Sequence, residues 1–250
     1  ISTTYCHNLV FSDMTLKNYG NLFGVKNLGG STVWKNIRIE GIGYAWFDSP
    51  TACNANGSHY WFNSTIVATT AAGSTKAYYT GCDESWFFGS ELIAISSSGI
   101  SQPIQANGGK VHVYGSVIRA LPSENNSAIA VESLNGGEVH IHGTGIDVIG
   151  TGANNITALS TSTGGSIHAN ESSYVMKTGT GGTKTRVSNN GGSIAAPYQW
   201  QNGDTPPDVN TETGYDTVVI TNTSDNHPHM VISDNTCASK WYDINSSACM

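Results

Sequence analysis

Three histidines recur in one local setting. The chain reads GGKVHVYG from residue 108, GGEVHIHG from 136 and GGSIHANE from 164, which sets His112, His140 and His168 at a constant spacing of 28 residues. Imidazole nitrogens are borderline ligands that suit zinc, copper and nickel, so a row of three has the makings of a transition-metal site. The competing reading is a repeating scaffold that stacks them as an exposed polar ladder. Carboxylates are the second candidate chemistry. Glycoside hydrolysis needs two of them about 5–10 Å apart, and Asp13 with Glu40, or Asp83 with Glu84 and Glu91, meet that need if the fold brings them onto neighbouring turns. Aromatic residues are the third. Trp34, Trp61 and Trp86 lead a cluster that includes Tyr44, Trp46, Phe47, Tyr60, Tyr78, Tyr79, Phe87 and Phe88. Some of these must fill a core. An outward strip led by the three tryptophans would stack on sugar rings or pack against another surface.

Whether any of these groups meet depends on the elements that carry them. Around the histidines runs a longer series: VFSDMTL, VWKNIRI, YWFNSTI, WFFGSEL, VHVYGSVI, VHIHGTGI and IHANESSYV. Each has an apolar strand, a pivot, a polar residue and another apolar pair. The pivots Asp13, Asn36, Asn63, Gly89, Gly115, Gly143 and Asn170 are residue types that tolerate left-handed backbone angles. They are 23, 27, 26, 26, 28 and 27 residues apart. A second strand precedes most copies: NLFGVKN, YAWFDS, KAYYTG, QPIQAN, AIAVES, TALSTS and KTRVSN. A period in this range without helical patterning specifies a β-solenoid, whose turns cannot bury their faces alone. Successive rungs then stack ~4.8 Å apart. If Val111, Val113, Val139 and Ile141 face inward, alternation turns His112, Tyr114, His140 and His142 outward. Lys110 and Glu138 share an offset in adjacent rungs and should pair at the surface, with little energetic consequence.

Composition agrees. Of 250 residues only 12% are charged, 29 are glycine and 38% are hydrophobic, which favours short strands and turns around a real core. The net charge of −7 and the scarcity of Lys and Arg exclude a basic nucleic-acid-binding stripe. No apolar run approaches the ~20 residues of a bilayer span. Nothing calls for a cofactor. The opening ISTTYCHNLVF reads as a chain already under way, with an upstream portion expected. Five cysteines without a CxxC pair suit disulfides in an oxidising, extracellular setting. Cys53 and Cys82 lie one repeat apart and Cys237 and Cys249 bracket a short terminal loop, which leaves Cys6 over. Seven N-x-[ST] sequons agree weakly with that setting.

The pivots, the rung length and the Gly-Gly turns resemble secreted right-handed parallel β-helix proteins of the pectate-lyase-like superfamily, over roughly residues 5–195. The closing stretch, from GGSIAAPYQWQNG to the final Cys-Met, is similar to the C-terminal ends of uncharacterised secreted bacterial β-helix repeat proteins. The resemblance implies an all-β right-handed parallel β-helix over residues 1–195, and the break in period after it, together with the need to cover the last rung, marks 196–250 as a C-terminal β cap. The cap holds Pro197, Pro206 and Pro207, the strand pair TVVITNT and HMVISD, and the Cys237–Cys249 loop. Lyases of this superfamily use an Arg or Lys base, often beside carboxylate-held calcium. Here Arg38, Arg119 and Arg186 are the only arginines and none lies beside an acidic cluster in the sequence. The fold alone does not give the function. The leading expectation is a non-catalytic extracellular surface, fibre or adhesive module with a polysaccharide partner. A polysaccharide lyase or hydrolase, and a self-associating filament subunit, are the alternatives.

Overall fold

The computed structural model describes residues 2–3, 6–18, 23–27, 30–48, 57–70, 73–123 and 126–196, together with three strands at 218–222, 228–232 and 241–243. The described residues contain strands and turns and no helix, so none is long and apolar enough to cross a membrane. Three sheets run along the molecule, of eight, eight and seven strands, and their order advances three strands at a time. Every pairing within them is parallel and, with one shift between Cys6 and Leu9, joins a residue to its equivalent one rung away. This is the expected parallel β-helix. The strand pair expected near the C-terminus is also present: Val218–Asn222 pairs antiparallel with Pro228–Ile232, which also pairs with Trp241–Asp243. Cys237 and Cys249 themselves lie outside the described residues, and of the loop between them Trp241–Asp243 is described.

One sheet positions the candidate site. Its strands are Cys6–Ser12, Gly30–Lys35, Ser58–Phe62, Glu84–Phe88, Lys110–Tyr114, Glu138–His142, Ser166–Asn170 and Ser193–Ala195. Alternation along each strand sends one set of side chains into the core. In register, Phe11, Trp34, Trp61, Phe87, Val113, Ile141 and Ala169 form one inward column, tapering from indoles to methyls. Trp34 stacks on Phe11 at 4.2 Å and on Trp61 at 4.9 Å between ring centroids, and Trp46 on Tyr78 at 5.6 Å in the facing sheet.

The Gly-Gly pairs divide two tasks. Gly136 has a φ of 78°, which other residues adopt at a cost. A Cβ on Gly137 would stand 2.5 Å from the carbonyl oxygen of Ala106, so the second glycine is set by close approach to the rung before it. At the pivots φ is 54° for Asp13, 52° for Asn36, 47° for Asn63 and 52–55° for Gly89, Gly115 and Gly143. The seventh pivot departs from expectation: Glu171 takes the left-handed angle, with φ 53°, and Asn170 is the last strand residue, paired with His142. Inward Ile167 and Ala169 fix the register, and the corner then falls one residue later than residue type alone suggests. After each of the five pivots from Asn63 onward stands a buried hydroxyl: Ser64, Ser90, Ser116, Thr144 and Ser172. Each donates to the carbonyl two residues back, at 2.9–3.1 Å. The first three also accept an N–H from the preceding rung, at 3.0–3.2 Å. The corner's polar groups are thereby satisfied.

Candidate functional site: a ladder of rings on one sheet face

The outward side chains of this sheet fall into three columns. The central one runs Val33, Tyr60, Trp86, His112, His140, His168 and Ala195. Beside it run Lys35, Phe62, Phe88, Tyr114, His142 and Asn170. On the other flank are Ser58, Glu84, Lys110, Glu138 and Ser166. In the first two columns adjacent rings stack at 4.7–5.3 Å between centroids, with planes 5–12° apart. Offset parallel stacking at these distances is favourable for each pair.

Trp34 and Trp61 do not join this surface. Both are 0% exposed and belong to the inward column, while Trp86 alone of the three faces outward and is half-buried. The outward strip led by three tryptophans is therefore corrected to Tyr60, Trp86 and the histidines. The reason is phase: Trp61 aligns with Phe87, and Tyr60 aligns with Trp86. A shift of one residue exchanges the two faces of a strand.

The three histidines do form the expected ladder, at 4.9 and 5.0 Å. Their near-parallel rings carry nitrogen lone pairs that lie in the ring planes and run side by side, so the stack as it stands does not aim them at one ion. His112 Nε2 lies 2.8 Å from Glu84 Oε1, Lys110 Nζ 2.8 Å from Glu138 Oε2, and His140 Nε2 3.8 Å from the same oxygen. Glu138 is drawn below the ordinary carboxylate range, chiefly by Lys110. His140 is pushed below the ordinary imidazole value, first by burial and then by His112 and His168, against the pull of Glu138.

The other expected chemistry is dispersed. Asp13 accepts a hydrogen bond from Asn36 Nδ2, whereas Glu40 is held by Lys17 and Arg38 at 3.0 and 2.5 Å. Asp83 points inward, Glu84 joins the ring face, and Glu91 stands on a different sheet bound to Arg119, which also reaches Asp147 at 3.1 Å. Arg186 lies over the Tyr174 ring and donates to the Ala196 carbonyl.

One constellation escaped the sequence. His59 occupies an inward position that apolar or hydroxyl residues fill in the neighbouring rungs, and it is 0% exposed. Its Nδ1 lies 2.7 Å from Thr32 Oγ1 and its Nε2 3.0 Å from Asp83 Oδ2, while Trp34 Nε1 donates to the same hydroxyl. Asp83 also accepts the Gly57 N–H at 2.8 Å. Next to it, Asp48 accepts the N–H groups of Cys82 and Asp83 through Oδ2, at 3.3 and 3.2 Å. Burial, with the Asp83 carboxylate second, pushes Asp48 up to about 7. Hydroxyl, imidazole and carboxylate in this order are the parts of a nucleophilic triad. Here Thr32 and Asp83 are each 1% exposed and His59 0%, so no substrate reaches the hydroxyl. The network satisfies polar groups inside the solenoid. Ligand atoms of Asp48, Cys82 and Asp83 lie within 4.8 Å of one another, but Cys82 is disulfide-bonded and offers no thiolate. Cys53, Cys237 and Cys249 lie outside the described residues. The alternation SHYWF was the available signal for an inward His59.

No protein family, curated protein or solved structure matches the chain, and of the expected resemblance the structure supports the parallel β-helix.

Proposed function

We propose that this protein is a non-catalytic extracellular β-helix module that binds glycans through its ring-bearing sheet face. The observation that carries the reading is the pair of adjacent columns running from Tyr60 to His168 and from Phe62 to His142. Rings that stack on one another turn their edges to solvent, and these edges carry imidazole nitrogens and the Tyr114 hydroxyl, which suit sugar hydroxyls as partners. The carboxylates of this face are engaged with His112 and Lys110, which favours binding over hydrolysis. The disulfide at Cys82 and exposed sequon residues Asn155 and Asn170 support an extracellular setting. The test is a polysaccharide panel scored both for retention of the protein and for new reducing ends or unsaturated uronate. Retention without turnover is expected; turnover overturns the non-catalytic reading and no retention overturns glycan binding.

A further inference from the structure

A stacked column has free faces only at its ends. At the His168 end the next outward residue is Ala195. At the other end both columns step down abruptly: Tyr60 is followed by Val33 and then Val10, and Phe62 by Lys35 and then Ser12. The rings of Tyr60 and Phe62 therefore each have one face without a partner ring, side by side, above a floor of small or flexible side chains. The step encloses a shallow cleft of about 550 Å³, lined by Val33, Lys35, Asn36, Tyr60, Phe62 and Asn63. That volume lies within the range of roughly 300–1,000 Å³ usual for small-molecule sites.

We infer that this cleft is a hexopyranose-binding subsite, in which a sugar ring takes the place of the missing ring of the ladder. The inference deepens the glycan-binding reading and rests on it. The apolar face of a pyranose matches the exposed faces of Tyr60 and Phe62 in size and in its C–H edges, and burying the two surfaces together removes apolar area from water. The rim is polar where the hydroxyls emerge. Asn36 and Asn63 stand at exposed pivots, and Asn36 already uses its Nδ2 on Asp13 Oδ1 at 2.8 Å, so its side-chain oxygen is the group it can offer a sugar hydroxyl. Lys35 is exposed and is the cation of the lining. Its ammonium gives a sugar carboxylate an advantage over a neutral hydroxymethyl group. The subsite is therefore selective for a uronate within the glycan. Within the ladder each ring face is covered by its neighbours, and at the far end the free faces belong to the imidazoles of His168 and His142, so a pyranose finds a phenyl face here and not over Trp86 or His112.

The test uses the full chain made in a host that adds no N-glycan, because Asn63 begins a sequon at the rim. A hyaluronan tetrasaccharide, which carries glucuronate, and uncharged cellotetraose are titrated by calorimetry. Both should bind, the hyaluronan fragment more tightly. Tyr60→Ala should weaken both roughly tenfold, and Lys35→Gln should remove the preference for the charged one. Val33→Tyr fills the step by extending the ladder one rung and should abolish binding while leaving the circular dichroism unchanged. Lys184→Ala, on another sheet, should change nothing. Unaltered binding by Val33→Tyr, or absence of binding by both fragments, overturns the subsite. If other glycans of the panel are retained in that case, the module reading survives its loss. If nothing on the panel is retained, both fall.

Discussion

Replacing Asp48 by Asn should stabilise the protein, and the gain should grow with pH. Asp48 is 1% exposed, and its carboxyl is raised from 3.8 to about 7, by burial and then by Asp83. In the unfolded chain it ionises near 3.8, whereas the folded state keeps it protonated until about 7. The unfolded state therefore loses its proton first, and stability falls as pH rises through that window. Taken to completion above pH 7 the loss is about 4 kcal/mol, and at pH 5 somewhat under half of it has accrued. Asparagine removes the ionisation and keeps an oxygen for the N–H groups of Cys82 and Asp83. Its amide nitrogen takes the place of the oxygen that accepts from Gly81, a loss of about 1 kcal/mol. The net expectation is a gain of roughly 3 kcal/mol at pH 8 and under about 1 kcal/mol at pH 5. Guanidinium unfolding at both pH values, followed by far-ultraviolet circular dichroism, measures it. An Asp48→Asn protein no more stable than wild type at pH 8, or a gain independent of pH, refutes the reasoning.

The exchange of faces among the tryptophans is open to the same treatment. Trp61→Ala removes a side chain of 0% exposure and should cost about 3–5 kcal/mol, while Trp86→Ala, half-buried on the ring face, should cost well under half as much; equal losses in denaturant unfolding would contradict the register. Glu171→Gly relieves a left-handed φ of 53° and should raise the unfolding midpoint by the equivalent of about 1 kcal/mol, with a fall in midpoint showing that the corner is misplaced. In a nitrogen-15 imidazole titration, His140 should have a midpoint below the ordinary 6.5, because burial and its two histidine neighbours disfavour the cation. Its folded value being depressed, the stability it contributes is present above pH 6.5 and declines as pH falls below that value. His140→Asn should flatten that decline.

The solenoid was legible because its cause is periodic. Pivots that take left-handed angles repeat every rung, and glycine pairs and alternating β-branched residues recur in several, so a few residues fix strand, corner and register. The ladder His112–His140–His168 and the Lys110–Glu138 pair followed directly from that spacing. The inward side of Trp34 and Trp61 is hard to read in the sequence because Val33–Trp34 and Tyr60–Trp61 are apolar on both faces, and the polar residues around them, inward Thr32 and His59 and outward Lys35 and Ser58, give alternation no single phase. Residue type marks Asn170 as a corner, whereas core register places the corner at Glu171. The Thr32–His59–Asp83 chain joins residues 24 and 27 positions apart, and such partners emerge only once rungs are laid over one another. The cleft beneath Tyr60 and Phe62 is likewise a property of neighbouring columns: it is the place where large residues give way to Val33 and Lys35.

The proposed subsite requires that a sugar ring complete the ladder at that step. Saturation-transfer NMR with the hyaluronan tetrasaccharide reads it most directly. Irradiating the aromatic protons should transfer saturation to the ring protons of the sugar, and the transfer should vanish in Val33→Tyr while the glycan remains uncleaved. Undiminished transfer in that variant would rule out the sugar ring at the Tyr60–Phe62 step, and new reducing ends during the experiment would show a catalytic module.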